Sequence, residues 1–145
     1  MHTAPPRHAV TDTDIEGCFA VMAELRPHLQ AGDFVSTVRH METEGYRLAF
    51  IERGRRVVAV AGYRITTNLF MGKNLYVDDL VTAADARSEG HGEALVSWLR
   101  ELAIAERCEV YHLDSGTQRH RAHKFYFREG FNIASYHFSQ PLQPG

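Results

Sequence analysis

Three groups of side chains in this sequence have types and spacings suited to chemistry. The first is Arg87-Ser88-Glu89-Gly90-His91-Gly92, set between a β-type stretch, Leu75 to Thr82, and an amphipathic helical pattern. Its glycines let the backbone pass close to a ligand and adopt positive φ. Free amides of the first helical turn, out to Glu93, point back toward the same place. With the fixed charge of Arg87 beside them they make an anion site. The second group is Asp78-Asp79, on the strand before that turn. Adjacent strand residues point to opposite faces unless a bulge intervenes, and charges in an apolar strand are costly to bury unpaired. Asp79 is the expected base, with Asp78 as partner of a substrate cation; a structural ion pair or a solvated strand end is the alternative for both. Asp114, at the end of the next strand, is a third carboxylate. His112 points to the same side as Asp114 and is either a proton relay or a satisfied core histidine. The third group is Phe125-Tyr126-Phe127, whose phenol has a reference pKa near ~10 and whose flanking rings read as packing.

The glycine turn excludes two common phosphate loops. A P-loop needs Gly-Lys-Ser/Thr, but Gly92 is followed by Glu93 and Ala94. A dinucleotide fingerprint needs a small residue where Leu95 stands, and a loop directly after the strand. Here Ala83 to Arg87 intervene between Thr82 and Ser88.

With 145 residues, the chain has the length of one domain that buries roughly two-thirds of its unfolded surface. Hydrophobic residues make up 44% and charged residues 23%, as in globular proteins. A net charge of −2 gives no basic surface for nucleic acid. The nine histidines form no His-x-x-x-His pattern and there is no Cys-x-x-Cys, so no metal is expected. Cys18 and Cys108 read as small buried residues in a reducing compartment. No apolar run reaches the length of a membrane span and Met1 to Arg7 lacks the apolar core of a signal peptide, so a cytoplasmic protein is expected.

The elements that must position these residues follow from periodicity. Residues 1–7, with two prolines, read as a tail before a single domain over residues 8–145. His8 to Val10 suggests a short strand. Ile15, Cys18, Phe19, Met22 and Leu25 mark a helix that Pro27 ends. Asp33 caps a second helix bearing Phe34, Val35, Val38 and Met41, finishing near Glu44-Gly45. Tyr46 to Glu52 and Arg56 to Ile65 are strands joined at Arg53-Gly54-Arg55, and Thr66 to Asn74 reads as a polar loop. Leu95, Trp98, Leu99 and Leu102 line the helix after Gly92, with Trp98 as core. Cys108 to Leu113 is a strand, a basic segment leads into a helix ended by Gly130, and Phe131 to Phe138 reads as a last strand. The order is β-α-α-β-β-β-α-β-α-β.

Arg-x-x-Gly-x-Gly after Asp-Leu-Val-Thr, and Ala122-His123-Lys124-Phe125-Tyr126-Phe127-Arg128-Glu129-Gly130-Phe131 farther on, together resemble the GCN5-related N-acetyltransferase (GNAT) family. The resemblance implies an α/β, acyl-CoA N-acyltransferase fold: a mixed, mostly antiparallel sheet flanked by helices on both faces, splayed in a V between two central parallel strands near Thr82 and Asp114. It implies that the backbone of Leu80, Val81 and Thr82 holds the acetyl carbonyl and pantetheine arm of acetyl-CoA. Amides from Ser88, Glu89, Gly90, His91, Gly92 and Glu93, with Arg87, would hold the pyrophosphate, and Tyr126 would protonate the leaving thiolate. Arg119 stands where the family often has an asparagine, so a frequent coenzyme contact is altered. The side chains of Glu89, His91 and Glu93 are expected to face solvent. The implied activity is direct transfer of acetyl, in a ternary complex, to the primary amine of a small molecule. A non-catalytic acetyl-CoA sensor and a protein acetyltransferase are the competing readings. An apolar edge strand from Tyr136 to Leu142 suggests a homodimer.

Overall fold

Thr11 starts the first helix, α1 (Asp12–Leu25), through a reciprocal capping box. Thr11 Oγ1 accepts from the Asp14 amide at 3.0 Å, and Asp14 Oδ2 accepts from the Thr11 amide at 3.1 Å. The computed structural model describes residues 2–143. Proline cannot continue a helix, and α1 stops two residues before Pro27 with Arg26 at its cap. The second helix, α2 (Ala31–Glu42), begins ahead of the expected Asp33 cap, at Gln30, which makes no side-chain capping bond. Ile15, Cys18, Val21 and Met22 of α1 are buried with Phe34 and Val38 of α2. The Phe19 and Phe34 rings meet edge-on at 5.4 Å.

Two compact units make up the chain, one ending at Leu113 and one beginning at Asp114. The first contains a five-stranded sheet in sequential order: β1 (Arg7–His8), β2 (Tyr46–Arg53), β3 (Arg56–Asn68), β4 (Gly72–Thr82) and β5 (Val110–Leu113). The β1–β2, β2–β3 and β3–β4 pairs are antiparallel and β4–β5 is parallel. Residues expected as a tail instead run beside the end of β2, where Thr3 bridges Arg53 and the Ala4 amide donates to Glu52 O. The polar loop expected over Thr66 to Asn74 is largely a hairpin extension. Asn68 Oδ1 caps the turn by accepting from the Met71 amide at 2.7 Å, and Gly72 takes φ +72°. Polar residues are tolerated in those strands because their side chains satisfy the turn and the ladder end.

Directly opposed residues on paired strands share a face, which fixes the layers of the first unit. On one face α1 packs with Gly17 and Val21 along a groove that Phe50 also lines; Tyr46, Leu48 and Phe50 alternate onto that face. On the other lies α3 (His91–Ala105), which buries Leu95, Val96, Leu99 and Ala103. Each Leu or Val so buried stabilises the fold by about 1.5–3 kcal/mol. Trp98 of α3 meets the His8 ring at 4.9 Å, and His8 Nε2 lies 2.7 Å from Tyr63 Oη. Tyr111 of β5 donates to Val96 O at 3.0 Å. Strand β5 is two residues shorter than the expected Cys108 start.

The second unit contains α4 (His120–Arg128), closed by Gly130 at φ +94°. The strand expected over Phe131 to Phe138 does not form. Alternation of apolar residues makes a strand only where a hydrogen-bond ladder accepts it, and none engages these residues. Ile133, Tyr136, Phe138 and Leu142 are exposed. The edge strand on which a homodimer is expected is therefore absent among the described residues. No helix among them is long and apolar enough to cross a membrane.

Burial pushes the Cys18 thiol up to about 12, whereas Cys108 is half-buried with a smaller rise of the same cause. Burial thus holds Cys18 as the thiol, whereas the thiolate is the reactive form. Iodoacetamide should therefore alkylate Cys108 in the native protein and reach Cys18 only after unfolding. Equal labelling of both cysteines, read by mass spectrometry, would contradict this packing.

Candidate active site

The site is built on a β-bulge. Gly62 of β3 pairs with Asp79 of β4, but Tyr63 pairs with Val77, so Asp78 is the extra residue. The bulge overrides the strict alternation that would send the two carboxylates to opposite faces. Tyr46 and Arg64 are directly opposed and so share the α1 face. Tyr46 Oη donates to Asp79 Oδ2 at 2.8 Å, while Arg64 grips Asp78 with two bonds, Nε to Oδ2 at 3.0 Å and Nη2 to Oδ1 at 2.8 Å. Both carboxylates therefore lie on the face that α1 covers. Arg26, at the end of α1, donates Nε to Asp79 Oδ1 at 3.0 Å and Nη2 to Asp78 O at 2.9 Å. Burial first, then the Asp79 charge, pushes the Tyr46 phenol well above its usual range, so it remains a donor. Gly62 makes room for this bond, since a Cβ there would lie 1.8 Å from Tyr46 Oη.

The strands continue this arrangement as a transverse row. Tyr46, Arg64, Tyr76 and His112 are successive partners across β2, β3, β4 and β5. The Tyr76 and His112 rings lie 5.0 Å apart. His112 Nε2 is 2.8 Å from Oδ1 of Asn74, a residue only 1% exposed. Asp114 belongs to the second unit, where His137 Nδ1 stands 3.8 Å away.

Beyond the row the parallel pairing stops. The β4–β5 ladder ends at Val77↔Leu113, yet β4 runs on through Thr82. At ~3.3 Å per residue, those five residues give about 16 Å of strand without a ladder to β5. Leu80, Val81 and Thr82 there are half-buried. A 3₁₀ turn at Ala84–Ala86 leads to the exposed Arg87, then to Ser88 at φ +65° and Gly90 at φ +86°. Ser88 in the left-handed region costs on the order of 1 kcal/mol, strain of a kind found at ligand turns. Gly90 caps α3 and offers no side-chain acceptor to the first-turn amides of His91, Gly92 and Glu93. Such donors suit the phosphate oxygens that the resemblance implies.

Of the carboxylates around this turn, Glu89 pairs with Arg53 and Asp85 with Arg56, and Glu93 is exposed. His91 departs from its expected solvent-facing place. It is 6% exposed, and its Nε2 has no hydrogen-bond partner among the described residues.

In the second unit, Tyr126 is held between the rings of Phe125 at 5.5 Å and Phe131 at 5.9 Å. Burial raises its pKa, opposed by the charge of Arg119 and a hydrogen bond from it. Arg119, the departure from the family's asparagine, thus touches the phenol. Sequence reasoning missed Arg26, Tyr46, Gly62, Arg64 and Asn74. The available signal was the cost of two adjacent carboxylates, which demanded partners elsewhere in the chain.

The acetyltransferase (GNAT) family model matches residues 14–131, and the chain belongs to that family. It is an acetyltransferase. It is 31% identical over 126 residues to the uncharacterized N-acetyltransferase YhdJ of Bacillus subtilis, covering 86% of this chain and 89% of that protein. It is 28% identical over 142 residues to the aminoalkylphosphonate N-acetyltransferase of Salmonella typhimurium, covering 94% and 90%. Among solved structures, AAC(6')-Iy in complex with the bisubstrate analog CoA-S-monomethyl-acetylneamine superposes with a TM-score of 0.85 at 11% identity, over 99% of this chain and 100% of that one. At that identity the likeness shows the fold.

Gly62→Ala should be disruptive out of proportion to one methyl group. It overpacks the core by about 1–3 kcal/mol and displaces a hydrogen bond to a charge worth about 1.5–3 kcal/mol. Chemical denaturation should show a loss of at least ~3 kcal/mol, with part of it recovered by a smaller residue at Tyr46. A loss below ~1 kcal/mol would mean that Tyr46 does not cross Gly62.

Proposed function

We propose that this acetyltransferase moves the acetyl group of acetyl-CoA to the primary amine of a small molecule, by direct attack in a ternary complex. The observation that carries the reading is the free edge of β4 beyond Val77, leading to a left-handed turn whose first-turn amides have no side-chain cap. In this reading Leu80, Val81 and Thr82 receive the acetyl carbonyl and pantetheine arm as an added strand would be received. Amides from Ser88 to Glu93, with Arg87, hold the pyrophosphate. Bound acetyl-CoA supplies the activated thioester.

Direct attack is favoured because neither thiol is suited to a covalent step: burial raises both, and Cys18 most. Tyr126 acts as general acid toward the leaving thiolate, and Arg119 eases release of its proton by stabilising the phenolate. Asp79, the expected base, would have to give up its bond from Tyr46 or Arg26 to take a proton. Its two partners suit it better to holding the bulge. The small-molecule acceptor is supported by the relative that acts on aminoalkylphosphonates. Two cysteines without a disulfide suit a reducing, cytoplasmic setting, and no metal or nucleic acid enters the reading.

Two substitutions test its halves. Tyr126→Phe keeps the ring packing and removes the acid, so thiol release from acetyl-CoA in the presence of an acceptor amine should fall ~10²–10⁴-fold with coenzyme affinity unchanged. Full activity would assign the acid to another group. Gly90→Val forces a β-branched residue to φ +86° and should weaken acetyl-CoA binding in calorimetry by at least tenfold; unchanged affinity would remove the turn from the site.

A further inference from the structure

We infer that Arg53 and Arg56 of the β2–β3 hairpin make the glycine turn receptive to a diphosphate, by neutralising the two carboxylates that flank it, Asp85 and Glu89. The inference rests on the coenzyme reading above and adds to it two positioning residues outside the family motif.

The turn before α3 carries acid on both sides. Asp85 stands two residues ahead of Arg87, and Glu89 lies between Ser88 and Gly90. Amides at a helix N-terminus attract negative charge, and they draw a neighbouring carboxylate as readily as a phosphate. A charged Asp or Glu left beside them would occupy those donors or repel the ligand. The hairpin supplies the remedy. Arg53 and Arg56 are the last directly opposed pair of the β2–β3 ladder, joined by Gly54 at φ +66° and Arg55. Arg53 Nη1 donates to Glu89 Oε1, and Arg56 Nη2 donates to Asp85 Oδ1. The Arg56 bond holds the Asp85 carboxyl below its usual range, so that pair stays ionised.

Geometry separates this role from ordinary bracing. The connection out of β4 is already secured from within: the Ala83 amide donates to Val58 O and the Ala84 amide to Glu24 Oε1, each at 2.8 Å. Ala83 and Ala86 are buried beneath it. The arginine pairs, by contrast, lie at the surface. Side-chain exposure is 37% for Arg53 and 36% for Glu89, and 55% for Arg56 and 70% for Asp85. Ion pairs so exposed add little to fold stability. What they change is the local field. Each converts a repelling carboxylate into a neutral pair and draws that carboxylate toward the hairpin. Arg87 and Ser88, the latter at φ +65°, lie between the two pairs in sequence. The amides from Ser88 to Glu93 thereby keep their positive end for an outside anion.

The test is a double-mutant cycle on the full chain, read by calorimetry with coenzyme A, so that no acceptor amine is needed. Arg53→Gln with Arg56→Gln should weaken binding roughly 3–30-fold at low ionic strength, and less in ~1 M salt. Asp85→Asn with Glu89→Gln should bind at least as tightly as the wild type. All four changes together should bring the affinity back to within about twofold of that carboxylate-free protein. Melting temperatures should stay close to wild type throughout, because the pairs are exposed. Unchanged affinity in the arginine variant overturns the inference, as does a loss that follows a fall in melting temperature. A loss that persists in the fourfold variant overturns it too, and makes the arginines direct phosphate ligands. Those three results leave the coenzyme reading standing. A wild-type protein that does not bind coenzyme A refutes that reading first, and this inference with it.

Discussion

Two neighbouring negative charges on an otherwise apolar central strand are the constraint on which this structure turns. Unpaired, half-buried carboxylates at Asp78 and Asp79 would cost several kcal/mol. Their partners come from three separate elements: Arg26 ends α1, Tyr46 opens β2 and Arg64 lies mid-way along β3. Satisfying the pair therefore fixes where α1 stops, how β2 registers against β3, and why β4 bulges. The energy of each bond is modest. Their joint effect is geometric, because all of them must close together for any to be made well.

The bulge also lies where the parallel ladder stops. It sharpens local twist where β4 leaves its parallel neighbour, and β5 ends at Leu113 while β4 continues to Thr82. A strand edge with no ladder partner would invite unwanted pairing in another setting. Here it leads, through the 3₁₀ turn at Ala84–Ala86, to the glycine turn and the first-turn amides of α3. Leu95, Val96 and Leu99 hold that helix against the opposite face from α1. The N-terminal end of α3 is thus braced by a buried core.

Much of this was legible in the sequence. The helices α1 and α3 announced themselves by period and punctuation, Thr11 and Pro27 for one and Gly92 for the other. The glycine turn ahead of α3 could be placed because glycines and strand residues act locally. The bulge could not, since it depends on Tyr46, Gly62 and Arg26, tens of residues away. The hairpin over Thr66 to Asn74 looked like a loop because its polarity is that of a capped turn and of Asn74, whose amide is consumed internally. His91 looked solvent-facing between two glycines, but its position on α3 turns it inward. The last strand failed for the opposite reason: Phe131 to Phe138 has the right alternation and no ladder to join.

The space above Gly62, filled by the Tyr46 phenol, has a consequence across relatives. Tyr46 occupies the volume that any side chain at position 62 would need, so the two positions form one steric unit. Evolution can alter them only together. A lineage acquiring even alanine at the glycine must first shrink the tyrosine, and then finds another donor for the aspartate or loses it. Homologous chains should therefore sort into a few discrete combinations at these three positions, with intermediates missing, although the residues lie far apart in sequence.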